Sequence, residues 1–411
     1  MLRRRHWIPP LGLLSSHLAH LASWIVLFAI AGSAERMVTM GALAWIHLVA
    51  LGWLTMTALS VLIHAIPAFT DNQWRAESAA RGSLAVYAAG VVVLVVAFGM
   101  DDVALLPIGA AVLAVGLGIY LLAAFATLFV PPPADPIDRA IARALGITLF
   151  FLAVALGLGY AQSLSLERGT PVAMRLAPVH ADLALIGWLS LLVVGVSSRT
   201  LRPITGNPAR QPALHIAVGT AGVLGVVVSS LGLLWNAVAL IWGGAAILAV
   251  ALLLYVAQVI RIFSGLQNPH RPPQAFALAS VGWLIVGGYL GMSAAFGRPA
   301  GTAFIFVALV GWIGQMVVAH IHHIGIRLIA TIVRGDEDET RPIELLDGRL
   351  SWPCFVLFQS AVAAGTVGLL GASARAIEVA GLCGIVGWTL MSANLILAWR
   401  NAHRPATIVL V

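Results

Sequence analysis

The chain of 411 residues is 60% hydrophobic and only 9% charged. A water-soluble protein carries charge on about a quarter of its residues, so bulk water is not the solvent for most of this surface. The net charge of +7 rests on arginine alone, lysine being absent. Its placement makes it a topology signal and gives nucleic-acid binding no support.

About 20 apolar residues suffice to cross a hydrocarbon core of about 30 Å. Runs of that kind recur twelve times, near 11–32, 39–68, 83–99, 103–130, 139–161, 174–198, 212–234, 236–264, 274–296, 301–332, 352–372 and 376–399. No alternating pattern of a barrel is present, and helices alone satisfy their own backbone within lipid. The expected fold is therefore all-α: a polytopic membrane helix bundle of about twelve transmembrane helices, forming one integral membrane domain over 1–411.

The opening MLRRRHWIPP leads into a first span with no small-residue cleavage site after it, which predicts a retained span. Span 1 then presents His17 and His20. Span 2 reads HLVALGWLTMTALSVLIHAIP, with His47 in its outer half, the pair Gly52-Trp53, and His64 at its end. The segment 131–139, PPPADPIDR, is a polar connection. Span 6 reads HADLALIGWLSLLVVGVSSRTLRP, with His180, Asp182 and Gly187-Trp188, and His215 opens span 7. The segment 267–273, QNPHRPP, is another connection. Span 10 reads FVALVGWIGQMVVAHIHHIG and carries Gly311-Trp312 with His320, His322 and His323. An acidic loop, 334–349, follows and reads as solvated. Cys354 and Cys383 lie in separate late spans and form no CxxC, which suggests packing.

With these spans, 18 arginines fall on one face and 5 on the other. The positive-inside rule then places both termini in the cytoplasm, in a bacterial-type inner (plasma) membrane. The Gly-Trp pairs of spans 2, 6 and 10 share one direction across the membrane, which predicts a threefold four-helix pseudo-repeat, roughly 1–130, 139–265 and 274–400.

Ionisable side chains inside a span are costly, and by default they are candidates for function. His6, His270 and His403 fall in polar connections, where water accounts for them. The rest form an outer pair, His47 and His180, and an inner group that includes His17, His20, His64, His320, His322 and His323. Neutral imidazole is the commonest ligand for iron, copper and zinc. His17 with His20, and His320 with His323, are spaced to share a helix face. Either the inner group is a metal site or it is an interfacial polar belt reaching water and carbonyls. Asp182 is read either as an acceptor that orients a histidine on a neighbouring helix or as a partner of Arg175. His47 and His64 point about 100° apart, too far for two haems stacked from one helix face. No nucleophile-base pair, phosphate loop, HExxH or CxxCH is present.

Twelve spans, the repeat and the histidines of spans 2, 6 and 10 together resemble the catalytic subunit of the haem-copper oxidase superfamily, including its NnrS-like relatives of nitric oxide stress. The resemblance implies haem and copper as cofactors. It maps a haem ligand onto His47, approximates a copper ligand with His180, and superficially matches a His-x-His with His320 and His322. It departs from the family where span 6 lacks His-Pro, where span 7 has only His215, and where span 10 has Phe306 in the outer half. A scaffold without a complete binuclear centre follows, an oxidoreductase if it is an enzyme. It would act in electron transfer or small-gas (nitric oxide or oxygen) chemistry and draw electrons from a donor protein or a quinol. The other readings are a membrane transporter or metal-handling protein for copper or another cation, and an oxidase assembly factor.

Overall fold

A computed structural model describes residues 8–31, 40–128, 133, 135–208, 210–335 and 342–404. His6, Arg3 to Arg5, Arg36, Arg341 and the acidic run 336–340 lie outside the described residues, as do the outermost residues of three expected spans. The described chain is helical throughout, with no strand. Its helices are α1 (Ile8–Ala31), α2 (Met40–Thr70), α3 (Glu77–Gly99), α4 (Leu106–Leu128), α5 (Pro136–Glu167), α6 (Val172–Thr205), α7 (Pro212–Trp235), α8 (Val238–Phe263), α9 (Arg271–Ala295), α10 (Gly301–Arg334), the short α11 (Pro342–Leu345), α12 (Gly348–Leu370) and α13 (Ala374–Ala402). All but α11 are long and apolar enough to span a bilayer. The protein is a multi-pass membrane protein whose outer surface meets lipid, as large apolar residues such as Leu122, Leu253 and Ile396 are exposed on it. Below, the near end is the one at which α1 begins, and the far end is the opposite one.

Several helices run further than hydropathy predicts, α5 and α6 among them. α5 starts at Pro136 because Asp135 caps it, accepting from the amides of Ile137 and Asp138 at 2.8 and 3.2 Å, with proline at the first helical turn. α6 continues past Arg199, Arg202 and Pro203 to Thr205, where Gly206 turns left-handed at φ 75°. Charge marked the membrane boundary at these points, but helix hydrogen bonding does not end where the hydrocarbon does.

α2 and α6 end on the same latch. Thr70 and Thr205 each bond a carbonyl one turn back, at 2.7 and 3.0 Å. Each hydroxyl then receives the backbone amide two residues on, from Asn72 or Asn207. The Asn72 and Asn207 amides reach on to the carbonyls of Thr127, at the end of α4, and Ile262, at the end of α8, at 3.0 and 2.8 Å. At the near end of α10, Arg334 bonds the last carbonyls of α13, Asn401 and Ala402, at 2.9 and 2.7 Å.

The bundle centre is built by α2, α6 and α10. Each changes from α to π winding over eight residues, Leu48–Thr55, Leu183–Ser190 and Val307–Gly314. In each segment the fifth and sixth residues are Gly-Trp, and the tryptophans Trp53, Trp188 and Trp312 are at most 1% exposed. They point around the centre in one sense. Trp188 donates its indole N–H to Thr55 Oγ1 at 3.0 Å, and Trp312 donates to Ser190 Oγ at 3.2 Å. Thr55 and Ser190 are the eighth residues of their segments. The third eighth residue is Gly314, and there the Trp53 ring fills the space a side chain would take, 2.8 Å from where its Cβ would stand. With little hydrophobic drive between helices in lipid, such packing and interhelical bonds hold the centre together.

Candidate functional site

His47 lies one residue before the π segment of α2, and His180 lies two residues further ahead of that of α6. The two are therefore not equivalent in register: Asp182 occupies the α6 position that matches His47. Their imidazole rings nevertheless approach to 6.4 Å between centroids, with planes 24° apart. Each Nδ1 faces a backbone carbonyl, Leu43 at 2.7 Å for His47 and Ala155 of α5 at 2.9 Å for His180. A carbonyl only accepts, so Nδ1 carries the proton in both rings and Nε2 keeps its lone pair. This is the arrangement by which a carbonyl fixes tautomer and orientation for a metal-binding imidazole.

The half-buried pair has a neighbour against each ring. Phe98 of α3 stacks on His47 at 4.8 Å. One turn beyond Ala155 on α5 stands Gly159, and a Cβ there would lie 3.1 Å from His180 Cε1. The absence of a side chain at 159 lets the imidazole rest on α5. Neither of the two cavities that stand out, about 340 Å³ beside Arg143 and about 220 Å³ beside His270, touches the pair. Two imidazoles fixed in this way suit a small ion.

Asp182 takes neither role expected of it. Its carboxylate accepts from Ser229 Oγ at 2.8 Å and Ser230 Oγ at 2.6 Å on α7. Two residues on from His180, it lies on another face of α6, within reach of hydroxyls on the next helix.

The inner histidines divide into separate environments. His20 is fully buried, stacked on Trp53 with centroids 3.3 Å apart, and its Nε2 accepts the Trp24 indole N–H at 3.1 Å. Its Nδ1 lies 3.4 Å from Ser23 Oγ. His17 bonds Ser392 through Nε2 at 2.6 Å and lies on Trp388. These contacts engage both rings in packing α1 against α2 and α13, so the shared face predicted for a metal is occupied by aromatic core. His64 is half-buried near the end of α2. His215 meets Gln258 of α8 at 3.5 Å.

His320 and His322 repeat the device of the outer pair, with Nδ1 donating to Met316 at 2.6 Å and Val318 at 3.0 Å. A short π turn, Ile321–Gly325, follows His320 and carries His322 and His323. With wider π winding the facing relations read from α spacing no longer hold, and His322 is the one fully buried. His270, which the sequence places in water, is 5% exposed and stands just before the first residue of α9. Burial, and then His322 beside it, hold its imidazole down to about 4, so it is neutral near pH 7. The signal for its position was Pro272-Pro273: proline in the first helical turn makes the preceding residues a helix start docked on the bundle. Among the described residues, no group of three or more His, Cys, Asp or Glu is arranged to hold a metal ion.

No family model matches the chain, and no curated protein matches it.

Proposed function

We propose that the protein is a copper-binding integral membrane protein of a bacterial-type plasma membrane, with both termini in the cytoplasm, acting in electron transfer or small-gas chemistry. The observation that carries this reading is the His47–His180 pair: two rings on different helices, each with Nδ1–H held by a carbonyl and Nε2 left as lone pair. Copper supplies one-electron exchange when bound and is well served by imidazole nitrogen. His47 and His180 would hold it, Leu43 and Ala155 orient them, and Phe98 and α5 at Gly159 pack against the two rings. A two-ligand site leaves positions where a small gas molecule could approach, with electrons from a donor protein or a quinol. The arginine asymmetry supports the orientation, which puts the pair in the outer half of the bundle. The matching π segments and latches favour descent from a repeated four-helix unit.

The test is metal analysis with a pyridine haemochrome spectrum on purified protein. Copper that falls by one equivalent in His47→Ala/His180→Ala supports the reading. Protein that holds haem and no copper, or copper that this double variant keeps in full, overturns it.

A further inference from the structure

A second group of imidazoles stands apart from the outer pair, where the near end of α10 meets the start of α9. His322 and His270 are 0% and 5% exposed, and His323 is flanked electrostatically by His270, His320 and Arg327. Four nitrogens here, His320 Nε2, His322 Nε2, His323 Nδ1 and His270 Nδ1, are buried without a hydrogen-bond partner among the described residues. Native proteins leave few such atoms unmatched, and those of His270 and His322, at helices in contact with each other, call for a ligand. The carbonyl bonds of His320 and His322 settle which chemistry they offer: Nε2 is a lone pair and accepts. At those two Nε2 atoms an anion would find no donor. A hard cation prefers oxygen to imidazole and would meet guanidinium charge, from Arg327 beside His323 and from Arg271, which bonds Gln274.

A soft, singly charged cation meets these conditions. Tetrahedral zinc wants four ligands, and no three are gathered here. Phe276 stacks on His322 at 5.2 Å and fixes its ring. A cavity of about 220 Å³, bounded by His270, Leu346 and Trp352 among others, opens beside His270 and gives access from the near end. We infer that His270 Nδ1 and His322 Nε2, with His323 beside them, form a second site that takes monovalent copper from the near-end face, independently of the outer pair.

The experiment uses full-length protein in nanodiscs, titrated anaerobically with Cu⁺ against a chromophoric Cu⁺ chelator. On the His47→Ala/His180→Ala background, one equivalent is expected to bind, with nitrogen-only ligation by X-ray absorption. Its affinity is expected to fall at least tenfold on adding His270→Gln. His322→Gln is the companion variant, and thermal unfolding checks that each folds; His270, at the cavity rim, keeps the test valid if the buried His322 change does not fold. A background protein that binds no Cu⁺, or an affinity that His270→Gln leaves unchanged, overturns the inference and assigns the four nitrogens to water. Wild-type protein whose single copper is lost with His270→Gln but not with His47→Ala/His180→Ala would keep this site and remove the outer one.

Discussion

Trp188 of α6 donates its indole N–H to Thr55 of α2 across the bundle centre at 3.0 Å, and Trp312 of α10 makes the same bond to Ser190 at 3.2 Å. The third tryptophan, Trp53, meets Gly314 instead of a hydroxyl. The ring of three contacts is thus closed by two hydrogen bonds and one packing contact. Thr55→Val should leave the buried Trp188 N–H without a partner and lower stability by about 1–3 kcal/mol, while Thr55→Ser should retain it. Thermal unfolding in a mild detergent, followed by tryptophan fluorescence, measures both; equal stability of Val and wild type at 55 would refute the bond's role.

Gly314→Ser makes the third segment match the other two in sequence, yet it should destabilise. The new Cβ would stand 2.8 Å from Trp53 Cη2, and overpacking of this kind costs about 1–3 kcal/mol. The same unfolding assay decides it, and a stabilised variant would show that Trp53 can turn to donate its indole N–H to the new hydroxyl, as Trp188 and Trp312 donate to theirs.

Gly159→Ala should disturb the outer pair without touching either ligand. The methyl would press on His180 Cε1 and turn the ring off its bond to Ala155. Losses of about 10–100-fold in metal affinity are usual when the support of a ligand is broken. Competition titration with Cu⁺ reads this, and undiminished affinity would mean that the pair binds no metal in this geometry.

His20→Phe separates core from ligand. The ring stack on Trp53 is preserved, but the Trp24 indole loses its acceptor, for a cost of about 1–3 kcal/mol. Copper content should not change. A variant that keeps its stability and loses copper would restore His20 to the ligand set.

The Asp135 cap gives a pH dependence of known sign. The amides of Ile137 and Asp138, and then Arg210, hold its carboxyl below the ordinary range. A carboxylate depressed by folding contributes fully above its unfolded value of about 3.9 and loses that contribution as pH falls through the lower folded value. Hydrogen exchange at the first turn of α5 should therefore accelerate with acid in the wild type. In Asp135→Asn, which still caps, that extra acid dependence should vanish; identical profiles would refute the assignment.

The sequence by itself determined the solvent, the number of spans, their helical state and the position of the Gly-Trp pairs, because each depends on composition along a single segment. It also marked His47 and His180 as costly groups inside spans. What lay outside its reach depended on winding and on neighbours. The change to π helix at Leu48, Leu183 and Ile321 alters which residues share a face, so the facing of His320, His322 and His323 cannot be computed from α spacing. The engagement of His20 by Trp24 and Trp53, the turn of Asp182 to Ser229 and Ser230, and the burial of His270 arise between helices distant in sequence. An imidazole is neutral, apolar-faced and able to donate or accept, so its type alone leaves packing and ligation open. Only the tertiary structure separates these histidines, supplying both ring nitrogens of His20 with partners and leaving Nε2 of His320 and His322 without one among the described residues.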